Sequence, residues 1–558
     1  MRILLLAHSF NSLTQRLWCE LGELGHELSL ELDIGDEVTR EAVQLFAPEL
    51  VIAPYLKRAI PAEVWRTVPC LIVHPGIPGD RGPAALDWAI LEQRRDWGVT
   101  VLEASAEFDA GDIWAAAGFA MRAATKASLY HDEVTECAVR ALLAALARRA
   151  RGERPTPLSV LDPTTAGCWH APLGQPQRRI DWAGDTTEVV LRKLRAADSA
   201  PGVLDEILGQ PFYLYDAQPA PAAPGAAPGG WFGRSGHVLL RATVDGAIAI
   251  GHARRAAPDA IKLPALLACP AATTLAERDP PAAASDIRYH EAQGVGFLAF
   301  EFYNGAMSTS LCEQLAAALD ESAARPTRVL VLEGGRDFWS NGIDLNVIEA
   351  AASPADESWR NIAAIDDVAE RIVRLEGKLT VAALRGNAGA GGAFLALAAD
   401  QVWARPGVVL NLHYRNMGNL YGSELWTYTL PRRVGAAAAR RMLEERQPVL
   451  GRQAAARGLI EAAFGADAAD FDREVAVRAT ELAAAPDFER RLAAKRAQRA
   501  ADEAARPLSR HRADELERMH RSFYGFDTSY HVARHRFVHK APHSWTPRHL
   551  ARHRVARR

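Results

Sequence analysis

The chain has 558 residues, which is enough for about three to four domains of ordinary size. A formal net charge of −3 gives no general reason to expect a nucleic-acid partner. The apolar start MRILLLAHS is too short for a signal peptide, and no run of 18 apolar residues suggests a membrane span. The cysteines are scattered without a Cys-x-x-Cys pair, which argues against disulfides and thiolate zinc sites. These features predict a cytoplasmic protein with no membrane partner.

The first hundred residues alternate between buried strands and amphipathic helices. Leu13, Leu17, Leu21 and Leu24 repeat at helical spacing. Strands are predicted at 2–7, 28–32, 50–53, 70–74 and 99–103, with further helices at 37–46 and 84–93. Such alternation predicts a parallel α/β sheet that binds its ligand at the carboxyl ends of the strands.

Two loops at those carboxyl ends carry the first candidate chemistry. VHPGIPGDRG spans 73–82 and EFDAGDI spans 107–113. Together they resemble the formyltransferase family, whose signatures are Asn-x-His-Pro-Ser-Leu-Leu-Pro-x-x-Arg-Gly and Asp-Ala/Thr-Gly-Asp. The resemblance implies formyl transfer from 10-formyltetrahydrofolate. His74 would stabilise the oxyanion or shuttle a proton, and Asp109 would hold and polarise it through a water. The alternative is a strand-end histidine and a turn aspartate without chemistry.

The match departs from the family at one catalytic position. The family has an asparagine two residues before the histidine, where this chain has Ile72. Asn11 or Gln15 could supply an amide from the other side, or Asn11 could simply cap a helix. The departure suggests an acceptor other than the usual amine. Three further residues are expected to contact the folate cofactor, namely Tyr55, Leu56 and Arg81.

The next segment is predicted to complete the formyltransferase part. A long amphipathic helix is expected over 126–151. RRIDWAGDTTEVVLRKLRAADSAPG, at 178–202, resembles the C-terminal domain of methionyl-tRNA formyltransferase, which implies a small OB-like β-barrel. Plausible strands lie at 212–216, 237–242 and 247–252, and the Pro/Ala/Gly-rich stretch 219–230 is predicted to be a loop of this barrel.

Glycine-rich corners mark a second α/β domain beginning near Gly294. A strand starts there, a helix is predicted at 309–324, and strands 328–333 and 379–384 precede GGRDFWSNGIDL and LRGNAGAGGAFLALAAD. These corners resemble the crotonase (enoyl-CoA hydratase/isomerase) superfamily, an α/β spiral. The resemblance implies that the amides of Ile343 and Gly391 polarise a thioester carbonyl. The basic residues that hold coenzyme A in the family are poorly matched here, although Arg336 is suitably placed. Tight packing alone is the alternative reason for such glycines.

The glutamates that activate water in hydrating crotonases are absent. One position is occupied by Phe394 and the other falls near Tyr414, so hydratase chemistry is not expected. Tyr414 and Glu424 are the polar candidates left to line the pocket. The alternative is that Tyr414 is a core tyrosine with its hydrogen bond satisfied and that Glu424 forms a salt bridge at a helix end.

The last hundred residues are helical and rich in Ala, Arg and Glu. An Arg/His-rich tail runs over 519–558. Eight of the 17 histidines lie between His511 and His553 at irregular spacing, so we expect a solvated basic tail and no metal site. Such a tail could still hold phosphates of coenzyme A or of polyglutamylated folate. The predicted division is 1–160 formyltransferase-like, 161–270 barrel, 271–285 linker, 286–465 crotonase-like and 466–558 helical extension.

The fusion as a whole resembles the HypX/HoxX family of hydrogenase maturation proteins. The resemblance implies that formyl passes from 10-formyltetrahydrofolate to coenzyme A and that formyl-CoA then loses carbon monoxide, the ligand of the NiFe hydrogenase iron. NiFe hydrogenase maturation proteins are the implied partners. The alternatives are a formyltransferase acting on an amine, with a crotonase-like domain that binds or hydrolyses a thioester, and a non-enzymatic scaffold that senses folate and coenzyme A.

Overall fold

The computed structural model describes residues 1–161, 167–222, 224–281 and 285–555. Two compact units divide the chain: Met1–Ser285 together with Pro542–Arg558, and Asp286–Ala541. Part of the predicted linker, residues 282–284, lies outside the described residues. Among those described, no helix has the length and hydropathy needed to cross a bilayer.

The first unit begins with a six-stranded sheet in the order β2-β1-β3-β4-β5-β6. Its strands are β1 (Arg2–Ala7), β2 (Glu27–Leu32), β3 (Leu50–Tyr55), β4 (Cys70–His74), β5 (Asp96–Glu103) and β6 (Ile113–Ala120). Its helices are α1 (Ser12–Glu23), α2 (Asp36–Phe46), α3 (Ala62–Trp65), α4 (Ala85–Leu91), α5 (Lys126–Leu129) and α6 (Thr135–Ala150). The first four strands are parallel as predicted, but β5 and β6 pair antiparallel.

The predicted continuous helix over 126–151 is wrong in one respect. A π-helical turn, Tyr130–Val134, separates α5 from α6. Its backbone accommodates one extra residue, so the register of side chains changes between the two helices. Tyr130 begins this turn and is half-buried, and burial raises the pKa of its hydroxyl.

The rest of the first unit contains an open sheet in the order β7-β8-β11-β10-β9, with β12 added to β11. The elements are α7 (Gln175–Arg178), α8 (Thr187–Ala197), β7 (Val203–Ile207), β8 (Gln210–Ala220), β9 (Trp231–Ser235), β10 (Val238–Ala242), β11 (Ala247–Arg255), β12 (Leu263–Pro264) and α9 (Ala265–Ala268). Within the described residues β7 and β9 do not pair, so the predicted barrel is not closed. The predicted loop lies between β8 and β9, with residue 223 outside the description. Ala272, in the predicted linker, is buried in this domain's core.

The second unit is built on two parallel-rich sheets, β13-β14-β16-β19-β21-β24 and β17-β20-β22-β23, and a short pair β15-β18. Its strands are β13 (Ile287–Ala292), β14 (Val295–Phe300), β15 (Ala306–Met307), β16 (Val329–Gly334), β17 (Phe338–Ser340), β18 (Gly342–Ile343), β19 (Leu379–Leu384), β20 (Asn387–Gly389), β21 (Gln401–Ala404), β22 (Val409–Asn411), β23 (Val449–Leu450) and β24 (Ala462–Ala463). Its helices are α10 (Thr309–Ala324), α11 (Leu345–Ala350), α12 (Pro354–Arg374), α13 (Gly391–Leu397), α14 (Trp426–Val434), α15 (Ala436–Glu445), α16 (Gly451–Ala456), α17 (Ala468–Ala484), α18 (Phe488–Ala505), α19 (Leu508–Tyr524) and α20 (Ser529–Val538).

The expectation of a solvated basic tail is wrong for much of the C-terminal region. Helix α19 buries His511, Glu515, Met519 and Phe523, which recur every four residues on one face. Three of its residues, Leu508, Met519 and Phe523, belong to the main core of the second unit. The many arginines and glutamates occupy the other faces, as in an amphipathic helix.

Residues 542–555 pack along strand β2 of the first unit. The Leu30 N–H donates to the carbonyl of Leu550 at 3.0 Å, and the Leu32 N–H donates to the Thr546 hydroxyl at 2.8 Å. This segment therefore satisfies backbone groups that an edge strand would otherwise expose.

A buried carboxylate fastens the segment to the sheet. Glu31 lies 2.9 Å from His553 Nε2 and 2.7 Å from Arg554 Nη2, and it also accepts from Thr546. Burial alone would favour protonation, but these donors lower the pKa of Glu31 and keep it charged.

We expect Glu31→Ala to lower the free energy of unfolding by roughly 3–5 kcal/mol, because it leaves buried donors without their acceptor. Urea unfolding gives the loss, and hydrogen exchange of residues 27–32 and 542–555 locates it. Glu41→Ala is the control, since Glu41 is 55% exposed in its pair with Arg554 and should cost about 0–1 kcal/mol. Equal losses in the two variants would contradict the role of burial.

Candidate active sites

The first candidate site is centred on His74, the last residue of β4. Its side chain is 5% exposed, with Nε2 2.9 Å from Asp80 Oδ2 and Nδ1 3.4 Å from Asp109 Oδ1. The structure thus brings His74 and Asp109 together from two loops. Asp109 has a positive φ of 56°, a conformation that aspartate tolerates better than most residues, and accepts from the Gly82 N–H at 3.3 Å.

Asp80 is a functional candidate that the sequence analysis did not single out. Its carboxylate is fully buried and bridges His74 to His170, whose Nδ1 lies 3.1 Å from Oδ1. A Cβ at Gly76 would clash with both the Asp80 carboxylate and the His74 ring. Because these contacts leave no free space around the ring, the carboxylates of Asp80 and Asp109 hold the imidazole of His74 in one orientation.

Chain segment 167–170 fixes the loop that carries Asp80. The Gly167 N–H donates to the Pro78 carbonyl at 2.8 Å. The Arg81 N–H donates to the Cys168 carbonyl, and the His170 N–H donates to the Arg81 carbonyl. The His170 ring also stacks on Trp88, with centroids 5.6 Å apart. The loop geometry therefore depends on residues about ninety positions further along the chain.

The other residues predicted for this site have local partners in the structure. Asn11 caps α1 by accepting from the Thr14 N–H at 2.9 Å, and the Gln15 amide donates to the Phe10 carbonyl at 2.8 Å. Arg81 pairs with Glu107 at 2.5 Å. Ile72 and Leu56 pack at the edge of an apolar cluster, and burial raises the pKa of Tyr55.

The second candidate site lies where β20 turns into α13. Ala390, with φ of 46°, precedes the helix that starts at Gly391. A Cβ at Gly342 would lie 3.2 Å from the Gly391 nitrogen, so the residue before Ile343 contacts the helix start. The structure therefore brings the two predicted amide positions onto neighbouring backbone. Arg336, at the end of the β16 corner, is half-buried.

Glu424 and Tyr414 form an enclosed pair beside this corner. The Tyr414 oxygen lies 2.5 Å from Glu424 Oε2 and 3.0 Å from the Ser423 carbonyl. A hydroxyl has only one proton, so it cannot donate to both acceptors. A protonated Glu424 resolves this conflict, because it donates to Tyr414 while Tyr414 donates to Ser423. A Cβ at Gly391 would clash with Glu424 Oε1, which places the carboxyl against the corner.

The electrostatics agree with a neutral Glu424. Complete burial, followed by the charge of Asp366, raises its pKa from the usual 4.5 to about 8. Burial and Glu424 likewise raise the pKa of Tyr414. Within the described part of the chain Glu424 forms no ion pair.

Two further buried carboxylates support the loop, and the sequence analysis missed both. Asp366 accepts from the Glu424 N–H at 2.7 Å, and Glu515 accepts from the Leu425 N–H at 3.0 Å. Glu424 and Leu425 are consecutive residues with positive φ, 59° and 58°, a conformation that costs about 1–2 kcal/mol per residue. Burial raises the pKa of Asp366 to about 6 even though Arg512 lies 3.9 Å away.

Phe394 is fully buried in α13 and closes the apolar side of this site. Its ring stacks on Tyr414 with centroids 5.0 Å apart and an interplanar angle of 14°. An aromatic ring therefore stands at the position that the resemblance to crotonases assigns to a water-activating glutamate.

Known proteins match this chain over its whole length. The hydrogenase maturation factor HoxX of Bradyrhizobium diazoefficiens is 53% identical over 558 residues, covering 100% of this chain and 98% of that protein. A crystal structure of HypX from Aquifex aeolicus in complex with tetrahydrofolic acid superposes with a TM-score of 0.96 at 47% identity, covering 100% of this chain and 99% of the other. The chain belongs to the HypX/HoxX family.

Separate families match the parts of this HypX/HoxX chain. Formyl transferase matches residues 31–146, its C-terminal domain matches 172–269, and enoyl-CoA hydratase/isomerase matches 297–548. Methionyl-tRNA formyltransferase of Chromobacterium violaceum is 30% identical over 213 residues, 36% of this chain and 67% of that protein. The predicted family and fold class are confirmed, apart from the open sheet and antiparallel strands described above.

The neutral state of Glu424 in this HypX/HoxX chain has a measurable consequence for stability. Because its pKa is about 8 when folded and 4.5 is usual, the folded state holds an extra proton between these pH values. The free energy of unfolding should therefore fall as pH rises, by up to about 1.4 kcal/mol per pH unit. Glu424→Gln mimics the protonated acid and removes this fall.

We expect the stability of Glu424→Gln relative to the native chain to increase from pH 5 to pH 8, as measured by calorimetry. Glu444→Gln, on the exposed face of α15, serves as the control and should give a flat difference. A flat difference for Glu424→Gln as well would show that Glu424 is charged in the folded protein.

Proposed function

We propose that this protein makes carbon monoxide from 10-formyltetrahydrofolate in two steps and supplies it for NiFe hydrogenase assembly. The first step moves the formyl group to the thiol of coenzyme A, and the second removes carbon monoxide from formyl-CoA and regenerates the thiol. The observation that carries the proposal is the enclosed Tyr414–Glu424 pair beside Gly391, in a full-length relative of HypX and HoxX.

His74 acts as the proton shuttle of the first step. A neutral imidazole that donates from Nε2 to Asp80 has its basic Nδ1 on the side of Asp109. Nδ1 can then accept the thiol proton and return it to the folate nitrogen as the carbon–nitrogen bond breaks. Asp109 stabilises the imidazolium between these events, and Asp80 is a positioning residue that selects the tautomer.

Tetrahydrofolic acid bound to HypX of Aquifex aeolicus supports a folate substrate for the first unit. Tyr55, Leu56 and Arg81 remain the predicted folate contacts. A thiol acceptor is compatible with Ile72, because transfer to a thiol needs none of the groups that handle an amine acceptor. Free cysteines and the two metabolite substrates support a cytoplasmic location.

In the second step the formyl proton leaves carbon, the carbon–sulfur bond breaks, and sulfur takes up a proton. The neutral Glu424 donates its proton to the departing thiolate, and Tyr414 passes the formyl proton back to Glu424. The proton from carbon thus replaces the one that Glu424 gave to sulfur, and the pair returns to its starting state. The amides of Ile343 and Gly391 bind the carbonyl oxygen during the reaction, and Arg336 is the predicted contact to coenzyme A.

Exclusion of water decides between carbon monoxide and formate. Formyl-CoA attacked by water would give formate, as expected of a crotonase-like domain that only hydrolyses thioesters. Phe394 is fully buried and presents no group that could deprotonate a water. This apolar wall favours elimination over hydrolysis.

The direct test is to incubate the purified full-length protein with 10-formyltetrahydrofolate and coenzyme A, with haemoglobin as the trap for carbon monoxide. We expect equal amounts of tetrahydrofolate and carbon monoxide, and none of the gas without coenzyme A. Formate in place of carbon monoxide would support the thioester-hydrolysing alternative. No turnover of folate would support the scaffold alternative.

Asp80→Asn should lower kcat for formyl transfer by about 10²–10⁴, because an amide can no longer select the donating tautomer of His74. His74→Ala should lose at least as much. The KM for the folate should change little if Asp80 acts through His74, whereas a collapsed loop would raise it. Asp96→Asn is the control, since Asp96 is an exposed acid at the start of β5, outside both loops.

Tyr414→Phe should lower carbon monoxide release by about 10²–10⁴ while formyl-CoA accumulates and tetrahydrofolate release continues. Tyr421→Phe is the matched control, because Tyr421 packs on Trp426 in the same loop and should keep normal activity. Simultaneous loss of both half-reactions in Tyr414→Phe would show that one site carries both steps.

A further inference from the structure

A cluster of metal-binding side chains lies outside both candidate sites, between α11 and α20 of the second unit. It consists of Glu349, His535 and His539, whose candidate ligand atoms all lie within 4.8 Å of one another. We propose that these three residues bind one divalent transition-metal ion, with zinc as the best match. This proposal is independent of the proposed function.

The distances are close to those of a bound ion. Oε1 of Glu349 lies 2.8 Å from His535 Nδ1 and 3.4 Å from His539 Nε2. Tetrahedral zinc with bonds of about 2.0–2.1 Å holds its ligand atoms roughly 3.3–3.4 Å apart. Small side-chain rotations, chiefly of the exposed His535, therefore suffice to replace the present hydrogen bonds with metal bonds.

Helical spacing aligns the two histidines. His535 is in the last turn of α20, and His539 follows four residues later as its C-cap, with its N–H donating to the His535 carbonyl. Residues four apart lie on one face of a helix, and the two rings are 4.2 Å apart between centroids. Two histidines at this spacing form half of many helical zinc sites.

The third ligand is held in place by a buried arginine. Nε of Arg534 binds the other oxygen of Glu349, Oε2, at 2.6 Å, and Arg534 itself is 4% exposed. A carboxylate fixed in this way, with its other oxygen directed at two imidazoles, is the arrangement that second-shell residues provide in metal sites.

The ligand types select the ion. Two imidazoles and one carboxylate form a set that zinc uses with water in the fourth position. Calcium and magnesium prefer oxygen ligands throughout, so they should bind poorly. The side chain of His535 is 61% exposed, which leaves access for the ion and for a water ligand.

The sequence places His535 and His539 at helical spacing, but it does not identify the third ligand. Glu349 is separated from His535 by 186 positions, so only folding brings the carboxylate to the histidine pair. A bound ion would tie α20 to α11, the helix that follows Ile343 in the chain.

The test is calorimetric titration of chelator-treated, dialysed full-length protein with zinc chloride. We expect one zinc per chain, at least tenfold weaker binding in His535→Ala and in His539→Ala, and unchanged binding in His520→Ala. His520 is the matched control because it is an exposed histidine of the same region outside the cluster. Circular dichroism should verify that each variant is folded.

Cobalt chloride gives a second readout. Cobalt bound by two imidazoles and a carboxylate in a tetrahedral site should produce visible absorption bands that are lost in His535→Ala and retained in His520→Ala. The proposal is overturned if the native chain binds no stoichiometric zinc. It is equally overturned if His535→Ala binds zinc as the native chain does, or if His520→Ala weakens binding as much.

Discussion

A carboxylate removed from water must be protonated, paired with a cation or surrounded by hydrogen-bond donors, and this requirement determines how both candidate sites are built. Each buried acid here meets it in a different way. Glu31 is paired with His553 and Arg554. Asp80 lies between two histidines. Among the described residues Glu424 is paired with no cation, and burial raises its pKa to about 8, which favours the neutral acid. The chemistry available at each site follows from how its buried acid is stabilised.

A charged buried carboxylate suits proton shuttling, and a neutral buried carboxylic acid suits elimination. A carboxylate between two imidazoles selects a tautomer and stabilises a transient imidazolium, which is what a transferring site needs. A neutral acid in a dry pocket has a proton ready for a leaving group. Asp366 promotes that neutral state through its charge while its hydrogen bonds hold the left-handed backbone at Glu424. One residue thus contributes to both the protonation state and the strained geometry.

Local patterns were sufficient to predict the elements that carry the reacting groups. Continuous apolar runs predicted the buried strands before His74 and before the Gly391 corner, because parallel strands covered on both faces have no polar side. The supporting acids were not predictable in this way. Asp366 lies 57 positions before Ser423, and Glu515 lies 90 positions after Leu425. Asp80 stands within a recognised loop, but at a position where the formyltransferase signature specifies no residue.

The prediction of a solvated C-terminal tail failed for a related reason. The composition of this region is highly charged, but its buried residues recur at a regular helical spacing. In α19 the residues His511, Glu515, Met519 and Phe523 form one buried face within a helix otherwise rich in arginine and glutamate. The acid on that face binds the backbone of Leu425, so it belongs to the second site even though it is remote in sequence. Average composition describes the exposed faces of such a helix, whereas the four-residue repeat describes the buried one. Helix α19 is therefore part of the structure that holds Glu424 in position.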